Sequence, residues 1–511
     1  MATTGMLLSQ KSLFISVFTA TFILYASTSF PSITGGDTGE LLAEACQLGV
    51  AHPPGYPLYL MLNHLVMRAA NTVTPGVAGA PAFAANILSS AFGATAAAMA
   101  AIAVHEWSGS RRMTSSVPEA ATAGGIVAAA LFALSPLTWE YSTGSEVFAL
   151  NNALMAGLIW LTAKVGTAMH SVARTTMPSK SSTPSESPWS SKVTLAMSWA
   201  RAGALVSGLA LANQHTALLF VVPLAATVVV WLLPTRPSQE AASSLSASSE
   251  ITLVSADLKS FTWQLAGLAI CFMLGFSPYT YLVVAAQHHT LNGSAQPGSW
   301  GDTGTLVGFW KHVTRGEYGT FKMLTFGSKH GASRTTESAW ERTVLWLQDA
   351  SIQTSGTGPL LAAVSVLTAL AVAMWASQAS VRAQSTTQLP ESAPNGKTNK
   401  SKKEKLPVVD DVGTATEPVS PSSEIKAENP TFITAHSHVA LVFIISLLFY
   451  TVVWNGVFSN LPLTRNPMAR AVHSRFWMQP NLLLSVHMLE QENVAQCILI
   501  LRQASYHTRN N

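Results

Sequence analysis

The densest run of groups able to do chemistry is Gly35-Gly36-Asp37-Thr38-Gly39-Glu40-Leu41, followed by Ala51-His52-Pro53-Pro54-Gly55-Tyr56-Pro57-Leu58. Glycines on both sides of Asp37 let a substrate approach the backbone closely. The prolines deny His52 to Tyr56 a regular helix and hold that stretch as a rigid loop. A carboxylate fixed in such a place can take a proton from a hydroxyl, which is general-base chemistry. Asp37 reads equally as a helix N-cap, with Glu40 reaching back to it in a capping box. The two readings are compatible, because a capped carboxylate is also well positioned. Glu44, one turn after Glu40, reads as part of a solvated helix face. His52 reads as a residue that hydrogen-bonds its own loop.

Further ionisable groups are scattered along the chain. Glu140 and Glu146 flank a short loop and read as interfacial caps. His215 closes Asn213-Gln214-His215, which interrupts an apolar block, and Asp302 follows Trp300-Gly301. Arg465, Arg470 and Arg475 precede the last apolar block. Guanidinium groups there suit the phosphate of a lipid-linked sugar donor, held by charge-assisted hydrogen bonds; the alternative is that they snorkel to ordinary headgroups. No His/Cys/Asp/Glu spacing resembles a metal site. Cys46, Cys271 and Cys497 are too dispersed for a zinc or redox pattern. No metal or resident cofactor is expected.

These groups must be positioned by membrane helices. Of the 511 residues, 48% are hydrophobic and only 11% charged, well below the roughly 25% charge of soluble proteins. Membrane-length apolar blocks lie at about 13–29, 82–104, 120–138, 147–166, 202–233, 262–286, 359–376, 438–458 and 477–500, each near the roughly 20 residues a spanning helix needs. The strand alternation of a membrane barrel is absent. The fold class is therefore all-α, a polytopic membrane protein with about nine to ten hydrophobic segments. The net charge of +4 comes from loop lysines and arginines, and no aromatic-interleaved basic run suggests nucleic acid.

Loop charges give the topology. Arg111 and Arg112 and the lysines around Lys403 belong in the cytoplasm. Asp37, the sequon Asn292-Gly293-Ser294 and Arg475 then share the luminal side, with Asn292 as a glycosylation candidate. The resulting organisation is a membrane-embedded core over 1–376, with a re-entrant hairpin at about 202–233 and a luminal segment at about 287–357. A disordered cytoplasmic linker over 378–437 follows. The end of the core with its Arg-rich luminal loop covers 438–485, and an atypical tail covers 486–511.

The two N-terminal motifs, together with Glu140-Tyr141-Ser142, Glu146 to Asn151, Ala212-Asn213-Gln214-His215-Thr216, Ser299-Trp300-Gly301-Asp302, Glu317-Tyr318-Gly319-Thr320 and Arg475 to Asn481, occur in order along the chain. The set resembles a membrane glycosyltransferase family of GT-C type, formerly a domain of unknown function. Its animal member O-mannosylates the immunoglobulin-like IPT domains of plexin-type receptors. The resemblance implies a GT-C helical core in the endoplasmic reticulum membrane, multi-pass, with Asp37 as the base and Glu40 beside it. Donor and acceptor contacts are expected from His52, Tyr56, Glu140, Glu146, His215, Asp302, Arg465, Arg470 and Arg475. Mannose would pass from dolichyl-phosphate mannose to Ser or Thr of secretory or receptor proteins, with inversion and without a required metal. Animal members continue into a luminal helical-repeat region, whereas this chain ends at Asn511. Two other classes fit the polar residues in apolar blocks: a transporter, which should show two related halves where no internal repeat is found, and a lipid-binding scaffold without catalysis.

Overall fold

Every regular element among the described residues is a helix. A computed structural model describes residues 9–109, 117–175, 188–233, 247–291, 299–317, 337–354, 430–459 and 461–487. The expected helix at 359–376, the sequon at Asn292, Arg111, Arg112, the lysine-rich linker up to 429 and the tail beyond 487 lie outside them. The chain divides into Met1–Ala369 with Val439–Asn511, which holds all that follows, and Leu370–His438, of which only the start of one helix is described.

The helices are α1 (Gln10–Ser27), α2 (Thr38–Gln47), α3 (Pro57–Val73), α4 (Ala80–Gly109), α5 (Val117–Ala133), α6 (Pro136–Thr143), α7 (Val147–Thr175) and α8 (Pro188–Asn213). They continue as α9 (Leu218–Leu232), α10 (Ala247–Phe276), α11 (Thr280–Leu291), α12 (Leu306–Val313), α13 (Ala339–Gln353), α14 (Pro430–Val453), α15 (Pro467–Ser474) and α16 (Met478–His487). Five stretches are long and apolar enough to cross a membrane: Ala80–Ser108, Val147–Met169, Val193–Asn213, His215–Leu232 and Phe261–Gln287. Joining α5 to α6, which meet at 71°, makes six among the described residues, against the nine to ten segments expected. The bend has a local cause. Pro136 cannot donate into the preceding turn, and extended Ser135 caps α6 through its side chain, which accepts from the Thr138 N–H at 3.3 Å.

Helix α4 lies between α1, α5 and α7, and its run Ala94, Ala96, Ala97, Ala98, Ala100 and Ala101 is fully buried. Small side chains let helices approach closely where lipid gives no hydrophobic drive. A methyl group on Gly125 of α5 would come within 2.5 Å of the Ala101 carbonyl oxygen. Further along the row, α7 packs on α8 and α8 on α10. A methyl on Gly208 would meet the Phe272 carbonyl at 2.2 Å, and one on Gly275 the Leu205 carbonyl at 2.0 Å, so α8 and α10 touch backbone to backbone. Trp263, Ile270, Met273 and Leu274 on α10 face outward, as a lipid-facing surface does.

The apolar block at 202–233 breaks at Gln214, whose backbone is extended (φ −153°, ψ 128°). Its first arm starts at Pro188 rather than near 202, so each arm is membrane-length and not half of a short hairpin. Ala196, Met197 and Ala200 bury themselves with Val165, Leu232 and Phe261, which anchors the part of the first arm that precedes residue 202.

Candidate active site

The segment leading to Asp37 is bolted onto the loop between α6 and α7. Phe30 N–H donates to the Thr143 carbonyl at 3.1 Å. Asn86, buried in α4, donates to the carbonyls of Phe30 (2.7 Å) and Ser32 (2.9 Å), and its own oxygen accepts from Ser145 Oγ at 2.7 Å. One amide thus sets Asp37 against Glu146. Between them Gly36 takes φ +74°, and a methyl there would lie 2.6 Å from Glu146 Oε1. The left-handed conformation and the lack of room both require glycine.

Asp37 stands at the N-cap position of α2 but makes no side-chain cap bond. Its backbone is α-helical (φ −85°, ψ −4°), and its carboxylate instead meets Arg475, with Oδ2 3.1 Å from Nη1. The same Nη1 lies 3.4 Å from Glu146 Oε1, which also accepts the Asp37 N–H at 3.0 Å. Asp37 keeps 39% of its side-chain exposure, Arg475 10% and Glu146 5%, so the aspartate is the member open to solvent. The guanidinium carbon sits 5.4 Å from the Phe148 ring centre, a cation–π contact. Arg475 begins a turn of tight helix fixed by Tyr450, whose hydroxyl donates to the Phe476 carbonyl at 2.9 Å. Burial opposes the Arg475 charge, and Glu146 and Asp37 outweigh it, holding the guanidinium pKa above its ordinary value. Burial pushes the Glu146 carboxyl up to about 7, with Arg475 pulling down and Asp37 pushing further up.

Glu40 does not complete a capping box. Its Oε1 accepts the His52 N–H at 2.7 Å, and Oε2 lies 3.0 Å from His52 Nδ1. His52 Nε2 is 3.1 Å from the Tyr56 hydroxyl. With Nδ1–H donating to the carboxylate, Nε2 is left to accept from Tyr56. Burial acts to raise the Glu40 pKa, but the His52 bonds and a bond from Trp300 bring it below its ordinary value. Tyr56 adopts φ 46° at the start of α3 and lies within electrostatic reach of Asp37, Arg475 and Glu146, so it joins the two clusters. Glu44 is not on a solvated face as its spacing suggested. It is 6% exposed and accepts from Ser299 Oγ at 2.6 Å, which ties the Ser299-Trp300 loop to α2.

Of the remaining sequence candidates, His215 Nε2 lies 2.6 Å from the Tyr279 hydroxyl. Asp302 accepts from Thr305 Oγ1 at 3.1 Å in the turn before α12. Glu140 is exposed on α6, and its charge reaches Tyr141 together with those of Arg475, Glu146 and Asp37. Arg465 is exposed, and Arg470 acts on Asp349 of α13, so of the three arginines Arg475 is the one that joins the acids. Asn86 escaped the reading of the sequence. Its signal was an amide inside an apolar helix, which is costly unless it is used.

The fold and this cluster define a polytopic helical membrane protein with an acid–guanidinium site at the ends of its helices. Residues 37–238 match the family model described as the protein O-mannosyl-transferase TMEM260 N-terminal domain. The mouse protein O-mannosyl-transferase TMEM260 is 34% identical over 322 residues, covering 63% of this chain and 36% of the relative. The Dictyostelium discoideum protein of the same description is 28% identical over 356 residues, covering 70% and 36%. These matches bear out the family resemblance carried by the motifs. The chain spans about a third of the length of these relatives. No solved structure matches it. The family-matched range holds Asp37, Glu40, His52, Tyr56, Glu140, Glu146 and His215, and stops short of Arg475.

Proposed function

We propose that this chain transfers mannose from dolichyl-phosphate mannose to serine or threonine hydroxyls of proteins in the endoplasmic reticulum lumen. The observation that carries the reading is the solvent-open Asp37 carboxylate fixed beside the buried Arg475 guanidinium. In one displacement the acceptor oxygen attacks the anomeric carbon while Asp37 takes the hydroxyl proton. The bond to the phosphate oxygen breaks with its electron pair, and Arg475 stabilises the charge that develops on the leaving phosphate. Both acid contacts of Arg475 use Nη1, so Nη2 is in neither. The apolar helices would keep the polyprenyl chain in lipid while its phosphate stays at the surface where the cluster sits.

The supporting similarity is to proteins named as protein O-mannosyl-transferases. The test is an assay of purified protein in lipid nanodiscs with radiolabelled dolichyl-phosphate mannose and a folded IPT domain. Label on acceptor hydroxyls supports the reading. Absence of label with folded protein, at acceptor concentrations up to millimolar, overturns it for this chain.

A further inference from the structure

Glu146 is 4% exposed and ends the loop that opens α7. Its Oε1 serves both the Asp37 N–H and Arg475, while Oε2 is buried without a hydrogen-bond partner among the described residues. The groups that face it are Asp37 at the start of α2, Arg475 in the turn after α15, His52 and Tyr56 in the loop between α2 and α3, Tyr59 of α3 and Tyr141 of α6. Arg475 is the permanent cation in this set. With Asp37 and Glu146 both ionised, one positive charge stands against two negative ones, and the cluster carries −1.

A phosphodiester approaching Arg475 would add another negative charge to a largely desolvated site, which is costly unless it is compensated. We propose that Glu146 is a positioning residue that takes up one proton from solvent, on Oε2, as the anionic phosphate of the donor joins Arg475. This deepens the donor reading above and rests on Arg475 as the phosphate contact. The neutral acid still accepts the Asp37 N–H through Oε1, so Asp37 stays ionised and in place. The proton also turns a partnerless buried oxygen into a donor where the phosphate brings acceptors. The carboxyl that burial holds near 7 is poised for this exchange at neutral pH.

The experiment measures binding of a short-chain polyprenyl phosphate mannose to the purified full chain in nanodiscs between pH 5.5 and 8.5. Calorimetry in two buffers of different ionisation enthalpy reads the protons exchanged. The ligand is a phosphodiester and does not itself titrate in this range. Expected for the parent is affinity that falls about tenfold per pH unit above about 7, with proton uptake rising toward one. In Glu146→Gln both effects disappear. Affinity that is flat with pH in the parent, or a slope kept by a folded Glu146→Gln, overturns the proposal. The parent measurement decides alone if the variant does not fold. Unchanged affinity in Arg475→Gln at pH 6 would instead overturn the phosphate reading, an outcome read independently of the pH slope.

Discussion

Arg475 Nη1 lies 3.1 Å from Asp37 Oδ2 and 3.4 Å from Glu146 Oε1, so one nitrogen holds two carboxylates of very different exposure. In the proposed reaction the exposed one, Asp37, is the base. Asp37→Asn keeps size and backbone conformation and loses no side-chain cap, because Asp37 makes none. Transfer should fall about 10²–10⁴-fold, while expression and donor binding persist. Near-parent rates at equal expression would reject Asp37 as the base.

Adjacent glycines should behave differently. Gly36→Ala places a methyl 2.6 Å from Glu146 Oε1 at φ +74°, whereas a methyl on Gly35 meets nothing within 4 Å. The left-handed backbone alone costs about 1–2 kcal/mol, and the displaced Glu146 carboxylate adds loss of activity. Gly35→Ala should leave melting temperature and transfer near the parent. Equal behaviour of the two in a thermal-shift and activity comparison would contradict the packing of Glu146 on Gly36.

Glu337 accepts from the Thr464 N–H (2.7 Å) and the Leu463 N–H (3.1 Å) and tethers the start of α13 to the loop before α15. Burial acts to raise its pKa, but the Thr464 and Leu463 bonds hold it at about 2. A depressed carboxylate stabilises above its unfolded pKa, and that stability is lost as pH falls toward the folded value. Glu337→Gln should therefore lower the melting temperature at pH 7, with the gap to the parent narrowing below about 4.5. A gap constant from pH 7 to pH 3 would show that the charge contributes nothing.

Gly275→Val should separate α8 from α10, because even a methyl there would sit 2.0 Å from the Leu205 carbonyl. Overpacking typically costs about 1–3 kcal/mol, and a backbone obstacle cannot turn aside as a side chain can. Gly203→Val, on α8 rather than α10, meets nothing within 4 Å at its first added carbon and serves as control. Similar detergent half-lives for the two variants would refute the close crossing.

The helices were legible because hydrocarbon thickness imposes a length and an apolar composition that survive in any one chain. Asp37 was legible because glycines on both sides are a local signal. Its partner was not, since Asp37, Glu146 and Arg475 meet through the fold and no spacing encodes that. The capping-box reading missed for the same reason: Glu40 found His52 across a loop, and Asp37 found Arg475. Glu44 misled because its charge suggested water, while Ser299 from a remote loop satisfies it. The break at Asn213-Gln214 was marked by polar residues in an apolar block, yet the length of the first arm was masked by the serines around Pro188.

Glu146 and Arg475 are separated by 329 residues of sequence, and Asp37 precedes both. During synthesis the two acids emerge long before the guanidinium that pairs them. Until α15 and the turn after it have been made, Asp37 and Glu146 lack the cation that bridges them. The triangle of Asp37, Glu146 and Arg475 therefore closes only once Arg475 has been made, however early its two acids appear.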